Sequence, residues 1–236
     1  PEFDAAGHAG FFLFGNVPEP HTLYKGIKAL KAGTTLWIDR NGSGQEKTFF
    51  DIASCLAAGP HFSNENLGDL LRDSVAHHFI ADVPVGLFLS SGLDSATLVG
   101  LASELSGAGL NTLSLGFREF EGSVNDEVPL AEAVAATYGT RQHSVRVEGK
   151  DFVKDLDDML MAMDQPSIDG VNTYFVAKAA AARGLKVAIS GLGGDEIFGG
   201  YDSFQQVPSL VGSVGRLPGI RDVGRLFRYL TLPLTA

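Results

Sequence analysis

Two stretches of this chain combine hydroxyls, glycines and acids in a way that suits polyphosphate chemistry. The first is Ser90-Ser91-Gly92-Leu93-Asp94-Ser95. It follows the apolar run Val85 to Leu89 and precedes a helical pattern, so it reads as the turn between a buried strand and a helix N-terminus. Ser90 and Ser91 offer hydroxyls, and Gly92 lets the backbone approach a ligand closely. The N–H groups around Leu93, Asp94 and Ser95 point out of the nascent helix and can cradle an anion. Asp94 would repel that anion unless Mg²⁺ bridges the two, since Mg²⁺ takes one or two carboxylates together with phosphate oxygens. The second stretch is Ser190-Gly191-Leu192-Gly193-Gly194-Asp195-Glu196, after the short apolar run Val187 to Ile189. Two adjacent acids at a strand end call for a counter-ion.

Each loop alone also fits a plain strand-to-helix turn. The first would then carry serine caps, and the second would hold favourable acids in a first helical turn. The pair together points to nucleotide chemistry. The first loop is not a Walker A sequence, because it lacks the Gly-Lys-Ser/Thr ending. Other chemistry-bearing residues carry less. His77 and His78 are adjacent on a helix and lack metal-ligand spacing, so they read as surface or packing residues. His143 sits in a strand context and reads as structural. Nothing in the sequence suggests a base that would activate Cys55. Asp155, Asp157 and Asp158 read as a solvated helix face.

The elements that must position these loops follow from periodicity. Strands are expected at Phe11 to Phe14, Thr34 to Asp39, Val85 to Leu89, Leu113 to Phe117, Arg141 to Val147 and Val187 to Ile189. A turn is expected at Asn41-Gly42. Leu67, Leu70, Leu71, Val75 and Phe79 recur at helical spacing. Further helices are expected at Leu23 to Leu30, over Leu98 to Leu105 with Gly107 as its stop, and at Val128 to Tyr138 before Gly139. Others are expected at Phe152 to Met163 and from an Asn172 cap to Arg183. Residues 51–64 read as a linker. Beyond Tyr201 the glycines and prolines break the pattern into short pieces, with a last helix around Leu226 to Leu230. From Asn66 onward, alternating strands and helices predict an α/β fold with a parallel sheet covered on both faces. Residues 1–50 look β-rich instead.

Composition narrows the partners. With 236 residues, 44% of them hydrophobic, the chain can bury a sizeable core. A formal net charge of −10 counts against nucleic acid as a partner. A single cysteine cannot form an internal disulfide or a Cys-rich metal site, and it suits a cytoplasmic location. No apolar run approaches membrane-spanning length. The chain begins at Pro1 rather than Met, and is expected to be a piece of a longer protein.

These residues resemble a known family. Ser90 to Ala96 is similar to the PP-loop of the ATP pyrophosphatase superfamily, whose pattern is Ser-Gly-Gly-x-Asp-Ser, with Ser91 in place of the first glycine. Ser190-Gly191-x-Gly193-x-Asp195-Glu196-x-Phe198-Gly199-Gly200-Tyr201 resembles glutamine-hydrolysing asparagine synthetases. The Pro84-Val85-Gly86 lead-in and the Gly15 to Gly33 segment resemble that family too. The resemblance implies residues 1–55 as the tail of a β-rich N-terminal nucleophile glutaminase domain and 60–236 as an ATP-binding synthetase domain, incomplete at its C-terminus. It implies ATP and Mg²⁺ as cofactors. Leu89, Ser90, Ser91, Gly92, Leu93, Asp94, Ser95, Leu115, Ser190 and Gly191 would bind the nucleotide. Asp94 and Asp195 would hold the metal, and Asp195 and Glu196 would be catalytic.

The implied reaction is amidation of a carboxylate, aspartate to asparagine, through an acyl-adenylate. AMP and pyrophosphate are released, and glutamine supplies the ammonia. Many family members are homodimers. Four departures stand out. Pro1 is not the family's nucleophilic cysteine, and no lysine follows Lys186 where the family has a catalytic one. Leu192 stands where aspartate-using members often carry Glu, and Asp169 lies near where they carry Arg. These departures keep two other readings open: a related amidotransferase or β-lactam synthetase-like enzyme with another acceptor, and a degenerate ATP-binding module. By itself this stretch of chain is expected to be inactive.

Overall fold

The computed structural model describes residues 2–59, 66–106, 109–213 and 219. By contacts the chain divides into two compact units, residues 1–190 and 191–236.

The first unit is built on four parallel strands: β3 (Val85–Phe88), β4 (Asn111–Phe117), β5 (Arg141–Val147) and β6 (Val187–Ile189). Their order is β5-β4-β3-β6, so the expected α/β fold with a parallel sheet is the observed one. Helix α4 (Leu93–Ser106) joins β3 to β4, and α5 (Val128–Tyr138) joins β4 to β5. The chain then returns through α6 (Gly149–Ala162) and α7 (Gly170–Ala182) to place β6 on the other side of β3. The winding therefore reverses direction between β3 and β6. In parallel sheets such a reversal opens a crevice beyond the carboxyl ends of the strands.

Burial follows from this layering. Leu87 and Leu89 pack with Val99 and Ala102 of α4, Ala131 and Ala135 of α5, and Val75 of α3 (Leu67–His78). The opposite face of β4 meets α7. Because both faces are covered, β4 is buried on both alternating sets of residues, not only on the Leu113, Leu115 and Phe117 set. Thr112 and Ser114 on the other set are as buried as Leu113.

Several expected elements come out differently. Phe11 to Phe14 is not a strand but the end of helix α1 (Ala5–Phe14). Asp4 caps that helix by accepting from the Ala6 and Gly7 N–H groups. It buries glycines instead of its phenylalanines. A Cβ on Gly7 would stand 2.0 Å from the Thr22 carbonyl oxygen, and one on Gly10 would stand 2.3 Å from Pro18, so only glycine allows this close approach. Leu23 to Leu30 forms turns and irregular backbone instead of a helix. There the Thr22 hydroxyl lies against the Tyr24 and Ile27 carbonyls, an arrangement that competes with helix.

The expected strand and turn are present as β1 (Thr34–Ile38) and Asn41-Gly42, and the turn leads into a strand that was not expected, β2 (Gly44–Thr48), which pairs antiparallel with β1. The presumed linker contains α2 (Ile52–Ala58), capped by Asp51 on the Ser54 N–H; residues 60–65 lie outside the described residues. Gly107, the expected stop of α4, also lies outside them. Helix α7 starts at Gly170, two residues before the Asn172 cap expected for it. Asp155 is buried rather than solvated: it shares the inner stripe of α6 with Met159 and pairs with Lys178 of α7. That carboxylate raises the Lys178 pKa. Asp157 and Asp158 are exposed, as expected.

In the second unit, α8 (Gly194–Phe198) is followed by α9 (Ser203–Ser213). Helix α9 runs through Pro208, so residues 203–213 are not broken into short pieces; residues 214–218 and 220–236 lie outside the described residues. A proline removes only its own N–H bond, and flanking turns can carry the helix past it. The helix expected at Leu226 to Leu230 lies outside the described residues.

Candidate active site

Leu89 extends β3 by one residue: its N–H donates to the Leu113 carbonyl at 2.9 Å. Its own carbonyl accepts from the Ser114 hydroxyl at 2.5 Å. The chain then turns at once into α4, and Ser95 closes the turn. The buried Ser95 hydroxyl receives the Ser90 N–H at 3.1 Å and lies 3.0 Å from the Gly92 carbonyl and 2.9 Å from the Ser90 hydroxyl. The Ser90 hydroxyl in turn accepts from the Gly92 N–H at 3.1 Å. The loop is thus cross-linked through its own serines, and the Ser95 side chain faces inward. What Ser95 presents outward is its backbone N–H, along with those of Leu93 and Asp94 in the first turn of a 14-residue helix.

The surroundings fit an anion. Leu93 is 82% exposed, so the helix N-terminus is open. A Cβ on Gly92 would come within 3.2 Å of the Ser90 hydroxyl, in the space over that turn. Asp94 is half-buried, and among the described residues no cation forms an ion pair with it. Leu115 sits on β4 one residue past Ser114, half-buried. Ser190 leaves β6 at the same edge of the sheet from which Ser90 leaves β3, because Leu87 and Ile189 are register partners. The structure therefore brings the starts of both loops to the crevice where the strand order reverses.

The rest of the second loop belongs to the second unit. Gly193 takes a left-handed conformation before α8. Asp195 and Glu196 lie in the first turn of α8, both exposed. Glu196 accepts from the Tyr201 hydroxyl at 3.0 Å. The Gly200 N–H donates to the Asp195 carbonyl at 2.9 Å. The Asp195 carboxylate lies over Gly200: a Cβ there would stand 1.9 Å from Asp195 Oδ1. Leu192 is 89% exposed.

The remaining candidates lie outside both loops. The Nδ1 atoms of His77 and His78 sit 2.8 and 2.7 Å from carbonyls of their own helix. His143 is half-buried in β5, and Cys55 is exposed. Among the described residues no group of three or more His, Cys, Asp or Glu side chains converges to hold a metal.

The asparagine synthase family model matches residues 66–232, which contain both loops and the whole parallel sheet. The chain belongs to the asparagine synthase family. Glutamine-hydrolyzing asparagine synthetase 1 of Bacillus subtilis (strain 168) is 34% identical over 89% of this chain and 33% of its own length. A putative glutamine-hydrolyzing asparagine synthetase of Mycobacterium tuberculosis (strain ATCC 25618 / H37Rv) is 36% identical over 99% of this chain and 34% of its own. This chain thus spans about a third of the length of these relatives. A solved NH3-dependent NAD synthetase from Campylobacter jejuni is a fainter likeness, at 13% identity over 52% of this chain and 55% of that one, with a TM-score of 0.36.

One feature escaped the reading of the sequence. Thr112 and Ser114 of β4, both buried, form a polar network with the half-buried Gln142 and Ser144 of β5, and the network reaches the first loop through the Ser114 hydroxyl at the Leu89 carbonyl. Its signal in the sequence is the alternation of polar residues, Thr112 and Ser114 in β4 and Gln142 and Ser144 in β5.

Proposed function

We propose that this chain carries the ATP-binding core of an enzyme that amidates a carboxylate through an acyl-adenylate, with aspartate as the first acceptor to test. Family membership supports the reaction class, and the serine-locked loop with an open helix N-terminus supports the nucleotide site. In this reading the N–H groups of Leu93, Asp94 and Ser95, with the Ser90 and Ser91 hydroxyls, hold the pyrophosphate of ATP. Gly92 allows the phosphates to approach. Backbone at Leu89 and Leu115, with Ser190 and Gly191, flanks the adenosine.

Asp94 and Asp195 would hold Mg²⁺, and Asp195 and Glu196 would be the catalytic acids. Mg²⁺ supplies charge neutralisation at the transferring phosphates. The residues of the chain do the rest: fixed N–H donors favour the charge that builds on the departing pyrophosphate. The acceptor carboxylate attacks the α-phosphorus and pyrophosphate leaves. Ammonia then attacks the acyl carbon and AMP leaves. Residues 1–55 are proposed as the tail of the glutaminase domain that would deliver ammonia.

A second reading, favoured by Leu192, keeps the adenylation but changes the acceptor. An exposed leucine offers no charge to an amino-acid substrate where aspartate-using members often offer Glu. Mg²⁺-dependent ATP–pyrophosphate exchange in the full-length protein tests both, across a panel of carboxylates. Exchange with aspartate supports the first reading, and exchange only with less polar acids supports the second. MgATP binding without exchange for any carboxylate overturns the enzyme.

A further inference from the structure

We propose that Ser114 is a positioning residue for the Ser90 to Ser95 loop, acting through a hydrogen-bond relay that runs from α5 across β5 and β4 to the Leu89 carbonyl. The proposal rests on reading that loop as the pyrophosphate cradle.

The relay centres on the Gln142 amide. Its Oε1 accepts from the Thr112 hydroxyl at 2.6 Å. Its Nε2 donates to Ser114 at 2.7 Å and to Ser144 at 3.3 Å. Ser144 donates onward to the Glu132 carboxylate of α5 at 2.6 Å, and Ser114 donates to the Leu89 carbonyl at 2.5 Å. A hydroxyl has one proton and an amide nitrogen has two, so these contacts set the direction of the relay. Both Nε2 protons are committed to the two serines. The Ser114 oxygen is then an acceptor toward Gln142, and its only proton faces Leu89.

The consequence lies in a single peptide plane. The Leu89 C=O and the Ser90 N–H belong to the same rigid peptide unit. Ser114 holds its oxygen at 2.5 Å, and Ser95 receives its N–H at 3.1 Å. Gripped at both ends, the plane cannot rock, and it sets the direction in which Ser90 and Ser91 leave the sheet. Ser114 and Leu89 are each 2% exposed, so no water replaces a lost bond cheaply. Without Ser114 the plane loses its grip on one side, and the donors that follow lose the fixed geometry a polyphosphate needs.

Calorimetric binding of MgATP to the full-length protein tests this. Ser114→Ala is expected to weaken MgATP binding about tenfold, the cost of one hydrogen bond lost from a buried position. Ser144→Ala removes the other branch of the same amide, away from the loop. Because Ser144 is half-buried and its bond to Glu132 exposed, this change is expected to lower the melting temperature less and to change affinity less than about twofold, within the range of a neutral change. Ser114→Cys, similar in size and a weaker donor, should fall between wild type and Ser114→Ala, and it decides the matter if Ser114→Ala does not fold. Equal affinity losses in Ser114→Ala and Ser144→Ala would overturn the relay, as would wild-type affinity in both Ser114 variants. Gly92→Val separates the two failures. If it abolishes binding while the Ser114 variants bind normally, only the relay falls. If it too binds normally, the loop reading falls and the relay with it.

Discussion

The two chemistry-bearing loops resemble each other in sequence and differ in how they are held. The first is anchored at both ends: Leu89 pairs with β4 on both its N–H and its carbonyl, and Ser95 ties Ser90 to Gly92. The second turns on glycines and is held by short-range bonds, from the Gly194 N–H to the Gly191 carbonyl and from the Tyr201 hydroxyl to Glu196. Gly193 and Gly199 bracket a five-residue helix at positive φ, and none of its residues is buried. An anion cradle built from backbone N–H groups needs those groups fixed, because preorganisation is what makes them effective. A pair of carboxylates at the surface needs only a clear path, and glycines provide one. In the proposed reading, the first loop would supply rigid recognition and the second adjustable charge.

The sharpest way to break this contrast is Asp94→Asn. The change keeps the shape and removes the charge, so Mg²⁺-dependent ATP–pyrophosphate exchange is expected to fall at least about a hundredfold with little change in melting temperature. Unchanged exchange would leave the first loop as a phosphate cradle without a metal.

Next in size is a pair of alanine variants compared directly. In Gly200→Ala the new methyl would meet the Asp195 carboxylate at 1.9 Å. That side chain can swing away, so exchange is expected to drop about tenfold while the fold survives. In Ser95→Ala the loop loses its central hydroxyl, and both MgATP affinity and stability should fall, the latter by about 1–3 kcal/mol. If Gly200→Ala unfolds the protein, or if Ser95→Ala leaves stability untouched, the distinction between a locked and an adjustable loop is lost.

The smallest effect concerns a region outside both loops. Asp126 makes paired hydrogen bonds to Arg146, at 3.2 and 3.0 Å, and the guanidinium lowers its pKa. A carboxyl with a depressed folded pKa stabilises the fold above its unfolded pKa and loses that contribution as pH falls through the folded one. Acid unfolding curves should show this. Asp126→Asn should be less stable than wild type near neutrality and should converge with it at acid pH. A constant gap at every pH would mean the pair contributes packing but no charge.

Much of this is legible in the sequence. The apolar run into Ser90, the acids at Asp94 and Asp195, and the alternation of helix and strand from Asn66 onward were enough for an α/β sheet with its chemistry at strand ends. Strand β5 and helix α5 have the bounds that periodicity suggests, because Gly139 stops the helix locally. The misreadings share one cause. Phe11 to Phe14 looks like a strand because four apolar residues in a row carry no period, and the Asp4 cap that makes them helical lies seven residues upstream. Asp155 looks solvated because its neighbours Asp157 and Asp158 are, and only the packing of α6 on α7 shows that it faces Lys178.

The sequence by itself determined what kinds of groups stand at the loops, since a glycine, a serine or an aspartate carries its chemistry wherever it lies. It also determined the family, through motifs that are contiguous in the chain. The tertiary structure decided which of those groups are held and by what. That Ser95 turns inward, that Ser114 reaches Leu89, and that the starts of the two loops leave one edge of the sheet all depend on strand order and register. Those are set by contacts between residues dozens of positions apart, where local propensity has no say.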